Sequence, residues 1–187
     1  MDELNSKWHH PGGKLVEQGP MSLTDEELLA VLIGSGYKGR SAQAIARELM
    51  DCYYSLAGLL GKTSSDISQI KGLKNGKTAR ISAAFEMTRR IFSENNWDLP
   101  NSRLLKLGLP SATDADLLAV LIGSGYKART PNALSNELLK KYKSISGLMG
   151  KKLSDMAKID GLGDVKIIRI AAALEVARRI ARALEKE

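Results

Sequence analysis

Two glycine-cornered stretches, each written twice, are the places where this 187-residue chain could do chemistry. The first pair reads "IGSGYKGRSAQAIA" (33–46) and "IGSGYKARTPNALS" (122–135). The second reads "IKGLKNGKTARISAA" (70–84) and "IDGLGDVKIIRIAAA" (159–173). In each, an apolar helix end meets a glycine corner, a few polar residues follow, and a new helix opens. Glycine reaches positive φ without a Cβ clash and lets another backbone approach closely, so the amides that open the next helix can point at a ligand. Those amides are unpaired donors at the positive end of a helix dipole, a natural seat for a phosphate oxygen.

The corner residues with that potential are Gly34, Gly36 and Gly72 in the first copy, and Gly123, Gly125, Gly161, Leu162, Gly163 and Asp164 in the second. Basic side chains beside them add Coulomb attraction and counterion release. They are Lys38, Arg40, Lys74, Lys77 and Arg80, then Lys127, Arg129, Lys166 and Arg169. Tyr37 and Tyr126 are the aromatic residues at the corners. Contacts to phosphate from main-chain amides carry no base information, so the expected ligand is DNA bound without sequence preference. The second copy keeps "GLG" where the first has "GLK", with Lys74 in place of the later glycine. The 161–163 corner is therefore expected to be the better phosphate site, and its first-copy counterpart largely structural. The plainer reading of any such corner is a helix C-cap and turn.

Composition bounds the rest. The chain is 43% apolar but only 5% aromatic, a mix that favours helices packed on a real core. No apolar run approaches the roughly 20 residues of a bilayer span, and no basic-then-apolar leader opens the sequence, so a non-membrane, unprocessed, cytoplasmic protein is expected. Cys52 is the only cysteine, which excludes an internal disulfide and a thiolate metal cluster. No metal or cofactor is expected. The net charge of +7 makes a polyanion a natural partner. Residues 14–91 carry 11 basic and 8 acidic side chains and residues 103–180 carry 14 and 7, so the second copy holds most of the excess.

The elements that position the corners follow from a repeat. "LLAVLIGSGYK" at 28–38 recurs at 117–127, an offset of 89, and the copies align without gaps from about 14 to 91. This predicts an N-terminal extension (1–13), one domain over 14–92, a linker over 93–101 and a second domain over 102–187. Thr24 with Glu27, and Thr113 with Asp116, have capping-box spacing ahead of the first helix of each copy. Ser41 and Thr130-Pro131 open the second helix, Ser55 and Ser144 cap a short turn, and Ser64 or Leu153-Ser154 opens a short helix. Ile81, Ala84, Phe85, Thr88 and Ile91, with their counterparts from Ile170 to Ile180, give the last helix an apolar face. The expected fold is all-α, two tandem domains of about five helices.

The corners resemble helix-hairpin-helix motifs, two to a domain. The order "GGKLVEQGPMSLTDEELLAVLIGSGYKGRSAQAIARELM", then "SLAGLL", "IKGL" and "KTARISAAFEMTRR", resembles the N-terminal region of the RadC family, bacterial proteins named historically for DNA repair. Its most specific parts are "LTDEELLAVLIGSG", "KGRS" and the Glu-x-x-Arg-Arg helix ends (Glu86, Arg89, Arg90; Glu175, Arg178, Arg179). The resemblance implies a duplicated helical module with a link to DNA repair or recombination, and with other repair or replication proteins as further partners. Family members follow this region with a JAB/MPN metalloprotease-like domain holding a His-x-His pair and an Asp. Neither His9-His10 nor any other segment here reproduces that pattern, so its hydrolytic chemistry is not carried over.

No catalytic residue is assigned. Asp25, Glu27, Asp114 and Asp116 suit helix N-termini, His9-His10 reads as a flexible terminus, and no Asp follows Asp164. The rival reading is a protein-interaction or scaffold module, for which Tyr53, Tyr54, Trp8 and Trp97 are the residues to watch, Trp97 as a pin between the copies. Arg89-Arg90 and Arg178-Arg179 read as solvated faces paired with Glu86 and Glu175.

Overall fold

The capping boxes set the frame. In the computed structural model, which describes residues 10–74, 76–94 and 111–185, Thr24 opens α2 (Asp25–Ile33) and Thr113 opens α6 (Asp114–Ile122). Each threonine accepts from the amide three residues on, and Glu27 or Asp116 bonds back to the threonine amide. Both helices end on a glycine at positive φ, Gly34 at 79° and Gly123 at 77°. Ser41 caps α3 (Ala42–Tyr53) and Thr130 caps α7 (Pro131–Tyr142), the latter with Pro131 in its first turn. Short helices α4 (Ser64–Ser68) and α8 (Leu153–Met156) follow, and the copies close with the long helices α5 (Gly76–Glu94) and α9 (Asp164–Leu184).

The chain also contains a helix ahead of these, α1 (Pro11–Gln18). His10 is not a loose terminal residue, because its imidazole Nδ1 accepts the Gly13 amide at 3.2 Å and caps α1. The two glycines of "PGGK" hide this helix from a propensity reading, but Pro11 suits the first turn and Gly13 is buried against the body. Among the described residues there are nine α-helices and no strand, only isolated bridges Tyr37–Arg40 and Tyr126–Arg129. The fold is all-α.

The two copies share one core. A single cluster of buried apolar side chains runs from Leu15 through α2, α3 and α5 to α6, α7 and α9. At its centre α5 and α9 pack together, and each is buried on every side for about two turns: residues 83–88 and 170–177 are all buried. Alanines at 83, 84, 172 and 173 keep these helices slim enough to approach.

Each closing helix also lies along the first helix of the other copy, α9 against α2 and α5 against α6. Arg179 near the end of α9 reaches the start of α2, while Arg169 near the beginning of α9 stands beside Gly34 at its end, so α9 and α2 run antiparallel. The arrangement is a pseudo-two-fold exchange of closing helices.

Ion pairs fix that exchange, and they replace the expectation of solvated arginines. Arg90 joins Glu86 of its own helix to Asp114 of the other copy, Nη1 to Oδ1 at 2.5 Å, and donates to the Ala112 carbonyl. Arg179 repeats this 89 residues on, joining Glu175 to Asp25 at 2.6 Å and donating to the Leu23 carbonyl. Arg90 and Arg179 are only 16% and 20% exposed, because the other copy's first helix covers the face that would be solvated in an isolated domain. Glu86 and Glu175 are buried at 3% and 4% exposure. Burial pushes their carboxyls up, but hydrogen bonds from Arg89 and Arg90, or Arg178 and Arg179, outweigh it and hold both below the ordinary glutamate value.

Candidate nucleic-acid interface

The two corners of each copy dock onto one another. In the first, the chain leaves α2 at Gly34 and makes a tight two-residue turn in which Tyr37 and Arg40 exchange backbone hydrogen bonds of 2.9 and 3.0 Å. Lys38, inside that turn, is left-handed at φ 44°; Lys127 repeats it at 51°. Gly36 and Gly125 have no room for a side chain, since a Cβ would stand 2.0 Å from the Arg40 carbonyl oxygen and 2.2 Å from that of Arg129. These glycines serve close backbone approach within the turn. The segment that "GSGYK" opens, 34–41 or 123–130, is thus a folded loop of eight residues between helices, longer than a minimal hairpin.

The second corner rests on the first. Gly72 and Gly161 are at φ 102° and 94°, and a Cβ there would meet Tyr37 at 3.0 Å or Tyr126 at 2.9 Å. Leu73 and Leu162 beside them are core residues. Arg40 ties the corners together by donating to the Lys71 carbonyl at 3.0 Å and pairing with Glu48; Arg129 does the same with the Asp160 carbonyl and Glu137. Lys77 donates to the carbonyls of Ser35 and Gly36 at 2.6 and 2.9 Å, and Lys166 to those of Gly161 and Gly125 at 2.8 and 3.3 Å. Arg80 closes the end of α2 through Leu32 and Ile33 carbonyls, both at 2.6 Å. Burial, with the charge of Arg80, lowers the Lys77 pKa from its usual value. Five of the nine basic residues expected at the corners, Arg40, Lys77, Arg80, Arg129 and Lys166, thus bind main-chain oxygen within the molecule.

The remaining four differ. Lys38 and Lys127 lie over the rings of Tyr37 and Tyr126 at 5.5 and 4.8 Å from the centroids, with ammonium groups facing water, and Lys127 makes a long 3.7 Å pair with Asp160. Lys74 is exposed. Arg169 is half-buried and makes no hydrogen bond or ion pair among the described residues. Gly34, Gly36, Gly123 and Gly125 stay exposed at the surface.

The start of α9 is the most open point. Gly163 is its N-cap at φ −74°, no side chain caps the helix, and a Cβ there would meet nothing within 4 Å. Asp164 and Val165 are exposed, and their amides have no acceptor among the described residues. Gly163 is therefore not demanded by backbone strain, unlike Gly161 two residues earlier. At the matching position of the first copy the exposed Lys74 stands in its place, and its carbonyl accepts the Lys77 amide.

The sequence reading missed the salt-bridged exchange, although its signal was present: Glu-x-x-Arg-Arg and the Asp after each N-cap threonine repeat at the same offset. It also missed the docking of Tyr37 on Gly72. The linker and Trp97, like Trp8, lie outside the described residues. Tyr53 bonds the Asp66 carbonyl, whereas Tyr54 is 90% exposed at the end of α3. No group of three His, Cys, Asp or Glu residues among those described could hold a metal ion, and no described helix is long and apolar enough to cross a membrane.

Fold and corners together define a duplicated all-α module whose copies interlock about a pseudo-two-fold axis. Residues 5–79 and again 91–168 match the UPF0758 N-terminal family, and the chain belongs to that family, a RadC-like N-terminal region. It is 40% identical over 84 residues to a UPF0758 protein of Pseudoalteromonas atlantica, covering 45% of this chain and 38% of that one. A UPF0758 protein of Janthinobacterium is 34% identical over 122 residues, covering 63% and 50%, and one of Burkholderia cenocepacia 34% over 114 residues, covering 61% and 42%. The chain spans half or less of the length of these relatives. No solved structure matches it.

Proposed function

We propose that the protein binds DNA through its phosphate backbone without sequence preference, chiefly at the corner that opens α9, and that it serves DNA repair or recombination alongside other proteins of those processes. The observation that carries this is the uncapped start of α9: unpaired amides at Asp164 and Val165, exposed at the positive end of a 21-residue helix, beside a glycine with open space around it. The net charge of +7 supports the same ligand. Lys127 and Lys38 supply mobile charge at the neighbouring turns, and Lys74 supplies it where the first copy lacks the open glycine. Arg80 and Arg169, one turn into α5 and α9, both approach Gly34, which brings the opening turns of the two helices alongside one another. Both corners then engage one duplex as a fixed pair rather than as tethered sites.

The test is salt-dependent binding to labelled single-stranded, duplex and branched DNA by the full chain and by Gly163→Asp. The aspartate fits the extended N-cap backbone and itself caps the helix, so the variant stays folded while its carboxylate takes the phosphate position. Wild-type affinity should fall steeply with salt and Gly163→Asp should lose most of it. Equal binding by the two at low salt refutes the corner.

A further inference from the structure

The two copies treat one arginine differently. Arg80 donates Nε and Nη2 to the carbonyls that end α2. Its counterpart Arg169 occupies the same place in α9 and donates to neither Leu121 nor Ile122 at the end of α6. It stands between the ends of the two first helices: its Nη1 lies 3.3 Å from the point a Cβ on Gly123 would occupy, and its Nη2, like Nη2 of Arg80, lies 3.5 Å from the point a Cβ on Gly34 would occupy. Among the described residues no carboxylate offsets either charge: burial, joined for Arg80 by the charge of Arg169, lowers both guanidinium pKa values. Two half-buried like charges held side by side cost free energy unless an anion joins them.

Arg169 also lines a cleft of about 310 Å³ formed with Val31, Gly34, Gln43, Val165 and Ile168, where α2, α3 and α9 meet the start of α1. Its walls are mainly apolar and its size suits a small organic molecule, not a duplex. We infer that this cleft binds a small phosphate monoester, its phosphate on Arg169 with Arg80 behind, and its organic part against Val31, Val165 and Ile168. A dianion matches two guanidinium charges better than a carboxylate does, and arginine's planar fork pairs two phosphate oxygens at once. This cleft adjoins the α9 corner, with the Val165 amide at the corner and its side chain in the cleft wall, and phosphate monoester binding there does not depend on DNA binding.

Phenyl phosphate is the direct probe, titrated by calorimetry into the full chain beside inorganic phosphate and benzoate. One saturable site is expected for phenyl phosphate, weaker for inorganic phosphate, which lacks the apolar part, and weaker for benzoate, which carries one charge. Arg169→Gln should weaken phenyl phosphate by about tenfold or more, the loss of a charge-assisted bidentate contact. It should melt no lower than wild type without ligand, whereas Arg80→Gln should melt lower. Gly163→Asp should leave phenyl phosphate binding intact, which separates this site from the DNA corner. Displacement of the probe by an oligonucleotide only when it bears a 5′ phosphate would assign the group to a nucleic-acid end, and failure to displace would assign it to a free metabolite. Absence of saturable binding, equal binding by Arg169→Gln, or a fall in its melting temperature like that of Arg80→Gln would overturn the inference.

Discussion

Arg179→Ala isolates the interlock of the copies. The guanidinium holds Glu175 of its own helix at 2.8 Å, Asp25 of the other copy at 2.6 Å and the Leu23 carbonyl, at 20% exposure. Removing one member of a buried charged network costs about 3–5 kcal/mol. Arg178 keeps its own two bonds to Glu175, and Asp25 is partly solvated, so the lower end, about 3 kcal/mol, applies here. For a chain of this size each kcal/mol moves the melting temperature by about 2–4 °C, giving a fall of roughly 6–12 °C. Arg182→Ala, an exposed change on the same helix, should stay within about 0.5 kcal/mol of wild type. Thermal unfolding followed by far-UV circular dichroism measures both. A shift under about 2 °C for Arg179→Ala, or one no larger than the Arg182 control, would show that the cross-copy pair does not hold the fold.

Arg90→Ala should cost about as much as Arg179→Ala, since it makes the mirrored contacts, and urea titration of the single and double variants would show near-additive losses. Gly161→Ala should destabilise by about 1–3 kcal/mol through its positive φ and the Tyr126 contact, while Gly163→Ala should differ little in chemical denaturation. Acid should loosen the interlock. Glu86 and Glu175 titrate below their unfolded value of 4.5, so their stabilisation is fully present above that pH and is lost as pH falls through the lower folded values. Melting temperature against pH should therefore decline below about 4.5, and Glu175→Gln should flatten that decline.

Capping boxes, the helix order and the two glycine corners were legible in the sequence because each depends on residues three or four apart: Thr24 with Glu27, Thr113 with Asp116, Ser41 with Ala44. What escaped depends on residues far apart in the chain. A duplicated sequence looks the same whether its copies fold alone or exchange helices, and only the burial of Arg90, Arg179 and their glutamates distinguishes the two. The same distance effect hid the fate of the corner cations. Lys77 and Arg80 look like a basic patch when read along the chain, but residues 32–36 offer them carbonyls that a linear reading cannot see. At 161–163 the two glycines read alike, yet one is pinned against Tyr126 and the other stands open.

Interlocked halves of one polypeptide have a freedom that two identical subunits lack. In a homodimer every substitution is made twice and must suit both places at once. Once the halves share a single chain, each can change alone. Arg80 and Arg169 carry the mark of that freedom: the same amino acid, at matching places, is a strut on one side of the axis and released from that duty on the other, so one half can acquire a new task while its twin maintains the old scaffold.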